Sequence, residues 1–452
     1  MNAYKRDGKF LVVFGDIPQW LVVDDFGFSI LKKIISGISL EQIISKYSLT
    51  KTRDVKITYE ELQSLINRKI ERDSLIVENA LTTKTTVAMI SVTKRCNLQL
   101  ICPHCYVDAG GSRDFELTEK EHKKIAKQIC ESLIPDKKKV YKINLTGGEP
   151  FIHRNILQII RAYYEKGLRV NMSTNGLLIK DADMDALAKM NVVLSVSLDG
   201  ASPGVHDQIR GIGSWKRVTE KIRRLVRSGV KVGINCLLHE GNFFEFEQIV
   251  SLSHKLGCSG FNPINLVQLG RACRSSLRRV SEVKIFKRLA NHLIRHPEER
   301  HLFNASSLFS SLGAALLAGI TCENCGAGNR PCVYIDETGN VYPCPNTQRK
   351  EFLLGNIRKV PLSECVKLDH PILKRLRTLQ VSTLNDRCAS CDIRFFCGGD
   401  CRGETYNVTE NLRNPYVACE DRHDSIIELM WIVAEHPEFF KNRAEEYISN
   451  LH

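Results

Sequence analysis

The sequence predicts an α/β protein: an open, partial (β/α)6 barrel, with a small mixed domain before it and a cysteine-rich domain after it. Three observations predict this. Between Val87 and Val267 six short β-branched runs alternate with longer helical stretches, the pattern of a parallel barrel. Residues 1–82 show two β-prone runs and then only helical patterning. The 17 cysteines are clustered, three at 96–105 and ten from Cys322 onward. The expected division is therefore 1–82, 83–310 for the barrel, 311–430 for the cysteine-rich domain and a helical tail at 431–452.

Composition narrows the function classes. A chain of 452 residues exceeds one compact core, and 43% apolar with 25% charged residues is ordinary for a globular protein. The charged start, Met1-Asn-Ala-Tyr-Lys-Arg, does not resemble a signal peptide, and no apolar stretch reaches a membrane span. A cytoplasmic protein with no membrane partner is expected. In a reducing compartment so many thiols argue for metal rather than disulfides. The net charge of +13 raises nucleic acid as a partner. However, the basic residues are dispersed, apart from Lys221–Lys231 and Arg271–Arg279, and no N-terminal helix carries a basic face. Nucleic acid is disfavoured, and an acidic protein such as a flavodoxin, or an anionic peptide, fits the charge as well.

In chain order, Gly8–Phe14 and Gln19–Asp24 are strand runs around Gly15-Asp-Ile-Pro18, a hairpin pattern. Helices follow at Phe28–Ile35, stopped by Gly37, and at Ser39–Tyr47. Ser39 is the expected N-cap, although Glu41 falls two residues later rather than three. A third helix is expected over about 59–73, with Leu62, Leu65, Ile66 and Ile70 on one stripe. Thr82–Thr86 is a polar linker. Strands are then expected at Val87–Val92, Val140–Leu145, Val170–Ser173, Val192–Ser197, Val230–Asn235 and Gly260–Val267. Parallel barrels build their sites from loops at the C-terminal strand ends, and each of the following motifs falls at such an end.

The first strand leads into Cys96-Asn-Leu-Gln-Leu-Ile-Cys102-Pro-His-Cys105-Tyr106. Three soft thiolates in one loop suit zinc, with His104 as a further ligand, or an iron–sulfur cluster. The second strand ends in Thr146-Gly147-Gly148-Glu149-Pro150, where paired glycines expose backbone at close range. The third ends in Ser173-Thr-Asn175-Gly176, the fourth in Ser197-Leu-Asp199-Gly200 with His206 and Arg210 downstream, and the fifth in Asn235. Beyond the barrel, Asp336–Cys344 reads as a hairpin turning at Gly339. Asp421–Ala434 reads as an amphipathic helix.

Together these motifs resemble the radical S-adenosylmethionine (SAM) family, whose cysteine spacing is usually three then two. Here the first gap is five, a departure. The resemblance implies that Cys96, Cys102 and Cys105 hold a [4Fe–4S] cluster whose open iron chelates SAM. It places Gly147, Gly148 and Glu149 at the methionine amino group, and Ser173 and Asn175 at the ribose or carboxylate. Arg210 and Ser197 are implied at the carboxylate, with Asn235 as a further contact and His104 near adenine. Cys388-x2-Cys391-x5-Cys397-x3-Cys401 with Cys419, preceded by Cys325, Cys332 and Cys344, resembles the SPASM extension, which carries twin auxiliary [4Fe–4S] clusters. That implies one ligand set of Cys325, Cys332, Cys344 and Cys401, with Cys322 as an alternative to Cys325. The other set is Cys388, Cys391, Cys397 and Cys419. Zinc knuckles remain the alternative for these cysteines. Where sulfatase-maturing relatives carry an aspartate base after the equivalent of Cys344, this chain has Pro345, so no catalytic base is assigned. Residues 1–82 resemble the winged-helix-like domain that captures precursor-peptide leaders by β-augmentation.

The expected function is a peptide maturase of the sactipeptide or ranthipeptide type. It would install a thioether or carbon–carbon cross-link in a leader-bound ribosomal peptide, with electrons from a flavodoxin or ferredoxin. The alternatives are a radical SAM enzyme acting on a small molecule or haem precursor, and a non-enzymatic iron–sulfur regulator that binds nucleic acid.

Overall fold

A computed structural model describes residues 1–47, 51–64, 88–99, 101–111, 115–134, 141–304, 307–329, 333–367 and 369–449. At the N-terminus β1 (Asn2–Arg6), β2 (Lys9–Phe14) and β3 (Gln19–Asp24) form an antiparallel sheet in that order. The sequence analysis begins its first strand at Gly8 and so misses β1, whose Asn-Ala-Tyr-Lys-Arg has little apolar content. β1 turns into β2 at Asp7-Gly8, both at positive φ, as a two-residue hairpin requires. Helices follow at Asp25–Ile35, at Leu40–Ile44 and over 52–64. Ser39 caps the second as expected, but its box partner is Gln42, three residues on, rather than Glu41. Leu65, Ile66, Ile70 and the 82–86 linker lie outside the described residues.

Both faces of this small sheet are used. Val12 and Phe14 pack with Ile30, Leu31, Ile43, Val55 and Leu62 of its own helices. Leu11 and Val13, on the other face, join the main core.

Six strands then run parallel, each beside its predecessor: β4 (Ala88–Thr93), β5 (Lys142–Gly147), β6 (Arg169–Thr174), β7 (Val193–Ser197), β8 (Lys231–Leu238) and β9 (Gly260–Asn265). All six expected strands are present. Side chains alternate between the two faces of a strand. Ile90, Val92, Ile143, Leu145, Val170, Met172, Leu194, Val196, Val232 and Ile234 belong to the buried core shared with the helices. The positions between them are Ser91, Asn144, Thr146, Asn171, Ser173, Ser195, Ser197 and Asn235. A sheet face lined with hydroxyls and amides does not help pack a core, which marks it as a ligand face.

The sheet continues past β4. β10 (Val333–Ile335) pairs parallel with β4, and β11 (Asn340–Tyr342) and β12 (Gly355–Asn356) extend it antiparallel. The order is β12-β11-β10-β4-β5-β6-β7-β8-β9, open at β9 and β12. The β10–β11 hairpin turns at Gly339, φ +88°, as expected. The cysteine-rich segment is thus continuous with the barrel sheet, and residues 310 and 430 fall inside the helices Leu308–Ala318 and Cys419–Glu435.

The latter helix is expected to be amphipathic, yet every residue from Ser425 to Val433 is buried. It packs against the helices Glu282–Arg295 and Leu308–Ala318. The N-terminal sheet meets it as well, through Arg6, which pairs with Glu428 at 2.6 Å and lies 4.9 Å from the Trp431 ring. No helix among the described residues is long and apolar enough to cross a membrane.

Against the barrel, His122 is fully buried beside Tyr163, its Nδ1 2.8 Å from the hydroxyl. Burial holds its pKa down to about 3. A depressed histidine stabilises the fold above its free value, near 6.5, and loses that contribution as pH falls from there toward 3. Anaerobic urea unfolding at pH 7.5 and 5.5 should show the parent losing about 1.4 kcal/mol more than His122→Gln over that interval.

Candidate active site and cluster-binding residues

The site begins where two loops touch backbone to backbone. Gly148 N–H donates to the Thr93 carbonyl at 2.8 Å and Glu149 N–H to the Arg95 carbonyl at 2.9 Å. A Cβ on Gly147 or Gly148 would overlap those same carbonyl oxygens, and Gly147 sits at φ +142°. Only glycine permits this approach, so the pair seats the end of β5 on the start of the cysteine loop. From the other side Gly270, φ +55°, closes on the Cys105 carbonyl. Arg271 N–H donates to that carbonyl (2.9 Å), and Arg271 Nε donates to the carbonyl of Cys102 (3.1 Å). Arg271 was not among the expected site residues.

Within the loop, Leu98 N–H donates to Cys96 Sγ and Ala109 N–H to Cys105 Sγ, both at 3.3 Å. Burial pushes the Cys96 thiol up to about 11, and the neighbouring Glu149, Cys102 and Cys105 charges add to the rise. A bound cationic centre reverses that balance by taking the thiolates directly. Among the described residues, three-ligand sets with all donor atoms within 4.8 Å of one another occur only at Cys391/Asp392/His423 and His296/Glu298/Glu299. The loop thiols are therefore spread more widely than the ~3.8 Å that a tetrahedral zinc site with 2.3 Å bonds demands. The His104 Nδ1 is buried with no hydrogen-bond partner among the described residues. Burial lowers its pKa to about 3, and its charged neighbours are Arg210, Asp199, His239 and Arg271.

The remaining expected residues divide into two groups. Ser173, Ser197 and Asn235 lie on the ligand face, Ser197 and Asn235 side by side in register, with Asn262 Nδ2 donating to Asn235 Oδ1 at 3.3 Å. Arg210 also faces the cluster loop, since Cys102 and Cys105 both act on its charge. Its Nε donates to Asp199 Oδ2 at 2.6 Å, and Asp199 is fully buried, also accepting from Leu237 N–H at 2.8 Å. Burial opposes ionisation of Asp199, but Arg210, His104 and His206 hold its carboxyl below the usual range.

Glu149 and Asn175 form the second group, bonded to neighbouring loops. Glu149 is 1% exposed, with one oxygen accepting from Thr174 Oγ1 (2.7 Å) and Phe151 N–H (3.1 Å) and the other from Asn175 N–H (2.7 Å). Asn175 Nδ2 donates to Asn97 Oδ1 at 2.8 Å, and its own oxygen accepts from Leu177 N–H at 3.0 Å. Both side chains thus tie the glycine and cysteine loops to the end of the next strand.

In the cysteine-rich part, Cys344 feels the charges of Cys401 and Cys325. Asn346 Nδ2 and Glu404 N–H donate to Cys401 Sγ at 3.2 and 3.3 Å. Cys332 lies outside the described residues. Cys391 feels Cys419 and Cys388, and Cys397 feels Cys391. Cys344 thus neighbours Cys401 and Cys325, and Cys391 neighbours Cys388, Cys419 and Cys397. Cys322 lies by Cys397 and Gly398 as well as near Cys325.

A polar-faced parallel sheet, three spread thiols at its first loop and two further thiol groups beyond define an enzyme that works through iron–sulfur clusters. Comparison with known families agrees. Residues 90–252 match the radical SAM superfamily, and residues 325–392 match SPASM, an iron–sulfur cluster-binding domain. The chain is a radical SAM enzyme with a SPASM extension, whose cofactors are SAM, a [4Fe–4S] cluster and auxiliary iron–sulfur clusters.

Among its relatives, the mycofactocin maturase MftC of Mycobacterium tuberculosis is 26% identical over 342 residues, 74% of this chain and 82% of the relative. The AdoMet-dependent heme synthase of Nitratidesulfovibrio vulgaris is 28% identical over 339 residues, 70% and 87% of the two chains. Streptococcus suis SuiB, solved with its precursor peptide SuiA, shares the fold at TM-score 0.59 and 15% identity, over 93% of this chain and all of SuiB.

Gly148→Ala should force the two loops apart and weaken SAM binding on the order of tenfold or more, read by equilibrium dialysis against the reconstituted parent. Asp199→Asn should free the Arg210 side chain and weaken SAM binding less than Arg210→Ala does.

Proposed function

We propose that the chain is a radical SAM peptide maturase that takes a ribosomally made precursor by its leader and installs a thioether or carbon–carbon cross-link. The observation that carries this reading is the N-terminal sheet. Its two faces are covered, one by its own helices and one by the enzyme body, and β3 stands at its edge. An edge strand offers backbone groups to an extended peptide, and alternate side chains set the register. The sheet is also tied to the cysteine-rich part. Asn2 Nδ2 and the Tyr4 hydroxyl donate to Asp392 at 2.9 and 2.6 Å, and Arg6 pairs with Glu428. A peptide added at β3 is thereby held by the same body that holds the reaction site. MftC and the SuiB–SuiA complex support this reading.

Bound at Cys96, Cys102 and Cys105, a [4Fe–4S] cluster with SAM supplies a 5′-deoxyadenosyl radical that can take hydrogen from an unactivated carbon. The chain contributes binding, orientation and exclusion of water. Gly147 and Gly148 offer backbone to the methionine end of SAM. Arg210, oriented by Asp199, pairs with its carboxylate, and Ser173, Ser197 and Asn235 supply hydrogen bonds along the polar face. Cys325, Cys332, Cys344 and Cys401 would hold one auxiliary cluster, and Cys388, Cys391, Cys397 and Cys419 the other. An acidic one-electron carrier, a flavodoxin or ferredoxin, would supply the electron. Pro345 offers no proton acceptor, which disfavours formylglycine formation by the route that needs one there.

The heme synthase relative supports a second reading, turnover of a tetrapyrrole, but that reading leaves the N-terminal sheet without a task. Anaerobic incubation with SAM, reductant and a precursor encoded beside the gene should release 5′-deoxyadenosine and lower the peptide mass by two hydrogens. Removing the leader should cut the rate by on the order of tenfold or more, since delivery is then no longer tethered. Equal processing of leaderless peptide, or turnover of a tetrapyrrole alone, would overturn the proposal.

A further inference from the structure

We infer that the acidic electron carrier docks on the outer face of the cysteine loop, over Ile101 and Ile212, within a rim of basic side chains. The inference deepens the function proposed above and rests on it. Ile212 is 101% exposed, the most exposed of the large apolar side chains, and Ile101 is 45% exposed. Ile101 reaches Gly211, the residue before Ile212: a Cβ there would lie 3.3 and 3.6 Å from two Ile101 side-chain carbons. Ile101 immediately precedes Cys102, so this apolar spot is carried by the same loop as the cluster ligands.

The loop that presents Ile212 is rigidly held. Gly211 N–H donates to the Asp207 carbonyl at 2.8 Å. The Asp207 carboxylate accepts from Gly213 N–H (2.7 Å), Ser214 Oγ (3.0 Å) and Trp215 N–H (2.8 Å). An isoleucine fixed in water by four hydrogen bonds has no packing role inside the chain.

The rim supplies the charge. The helix Ser214–Arg227 carries six basic residues and one acidic residue. Lys216 and Arg217, in its first turn, are exposed. On the Cys105 side Arg274, 75% exposed, reaches Asp108 at 3.3 Å, and Arg271 grips the loop itself. An apolar centre with a charged rim is the anatomy of a transient protein interface, in which charge steers encounter more than it adds affinity. A nucleic-acid site would have no use for two isoleucines at its centre. The step is one electron: the carrier is oxidised by one and the centre held by Cys96, Cys102 and Cys105 is reduced by one. Tunnelling weakens steeply with distance, so a carrier placed over Ile101 approaches by a short route.

Reconstituted full-length protein would be tested as parent, as Ile212→Asp and as Lys216→Glu/Arg217→Glu. Oxidised flavodoxin binding would be measured by calorimetry. Release of 5′-deoxyadenosine would be measured with photoreduced flavodoxin, with reduced ferredoxin and with dithionite. Both variants should bind flavodoxin on the order of tenfold more weakly, and lose a similar factor in carrier-driven rate while the dithionite rate holds. Raising the salt concentration should lower the parent's carrier-driven rate alone. If a variant also slows with dithionite, this salt dependence decides for the parent.

Unchanged binding and carrier-driven rate in both variants would overturn the inference. So would a parent that dithionite reduces but neither acidic carrier does. A parent that releases no 5′-deoxyadenosine even with dithionite would instead overturn the function on which the inference rests.

Discussion

The active site depends on one contact, the seating of Gly147 and Gly148 on the carbonyls of Thr93 and Arg95. It joins the ends of two neighbouring strands without any side chain between them. The cysteine loop therefore has a fixed origin relative to the polar face of the sheet, whatever the length of its insertion. This explains how a five-residue gap between Cys96 and Cys102 is tolerated. The loop is anchored before Cys96 by the glycines and after Cys105 by Gly270 and Arg271, so the gap can lengthen between fixed ends. Glu149 serves the same contact, since its buried carboxylate ties the β5 end to Thr174 and Asn175 at the next strand. Deep burial raises its pKa, and the three donors around it oppose that cost.

A second constraint acts across the barrel. Asp199 and Arg210 form a buried ion pair beside the cluster thiols. Pairs of this kind seldom add net stability, because desolvation offsets their attraction. What this one supplies is direction: it fixes the Arg210 guanidinium beside Cys102 and Cys105. His206, whose Nδ1 accepts from Asp199 N–H at 3.1 Å, is held neutral by burial, its pKa down at about 4. It thus belongs to the scaffold of this pair rather than to proton transfer.

Much of this was legible in the sequence, because the features concerned are local. Strand periodicity located all six barrel strands, and the glycine and cysteine motifs carry their spacing in a few residues. What stayed hidden depends on partners far along the chain. β1 is a strand because Leu11 and the Cys419–Glu435 helix receive it, and nothing in Asn-Ala-Tyr-Lys-Arg announces that. The same helix reads as amphipathic, since Arg422, Glu428 and Glu435 look solvated until Arg6, Asp400 and Glu282 are seen to meet the first two of them. Asn175 and Glu149 have side chains suited to a ligand, and only the structure shows that they also tie neighbouring loops together. Arg271 lay beyond the last barrel strand, where a reader has no reason to look for a clamp on residue 105.

The interleaving of the distal thiols bears on how the protein is made. Cys344 gathers with Cys401, and Cys388 and Cys391 gather with Cys419, so each group waits for a cysteine made well after its first. Through most of synthesis the emerging chain carries unmated sulfhydryls, open to oxidation and to stray metal. The order of residues thus makes iron delivery a late event, and expression that outruns the supply of iron and sulfide should leave a full-length polypeptide whose C-terminal third has never closed.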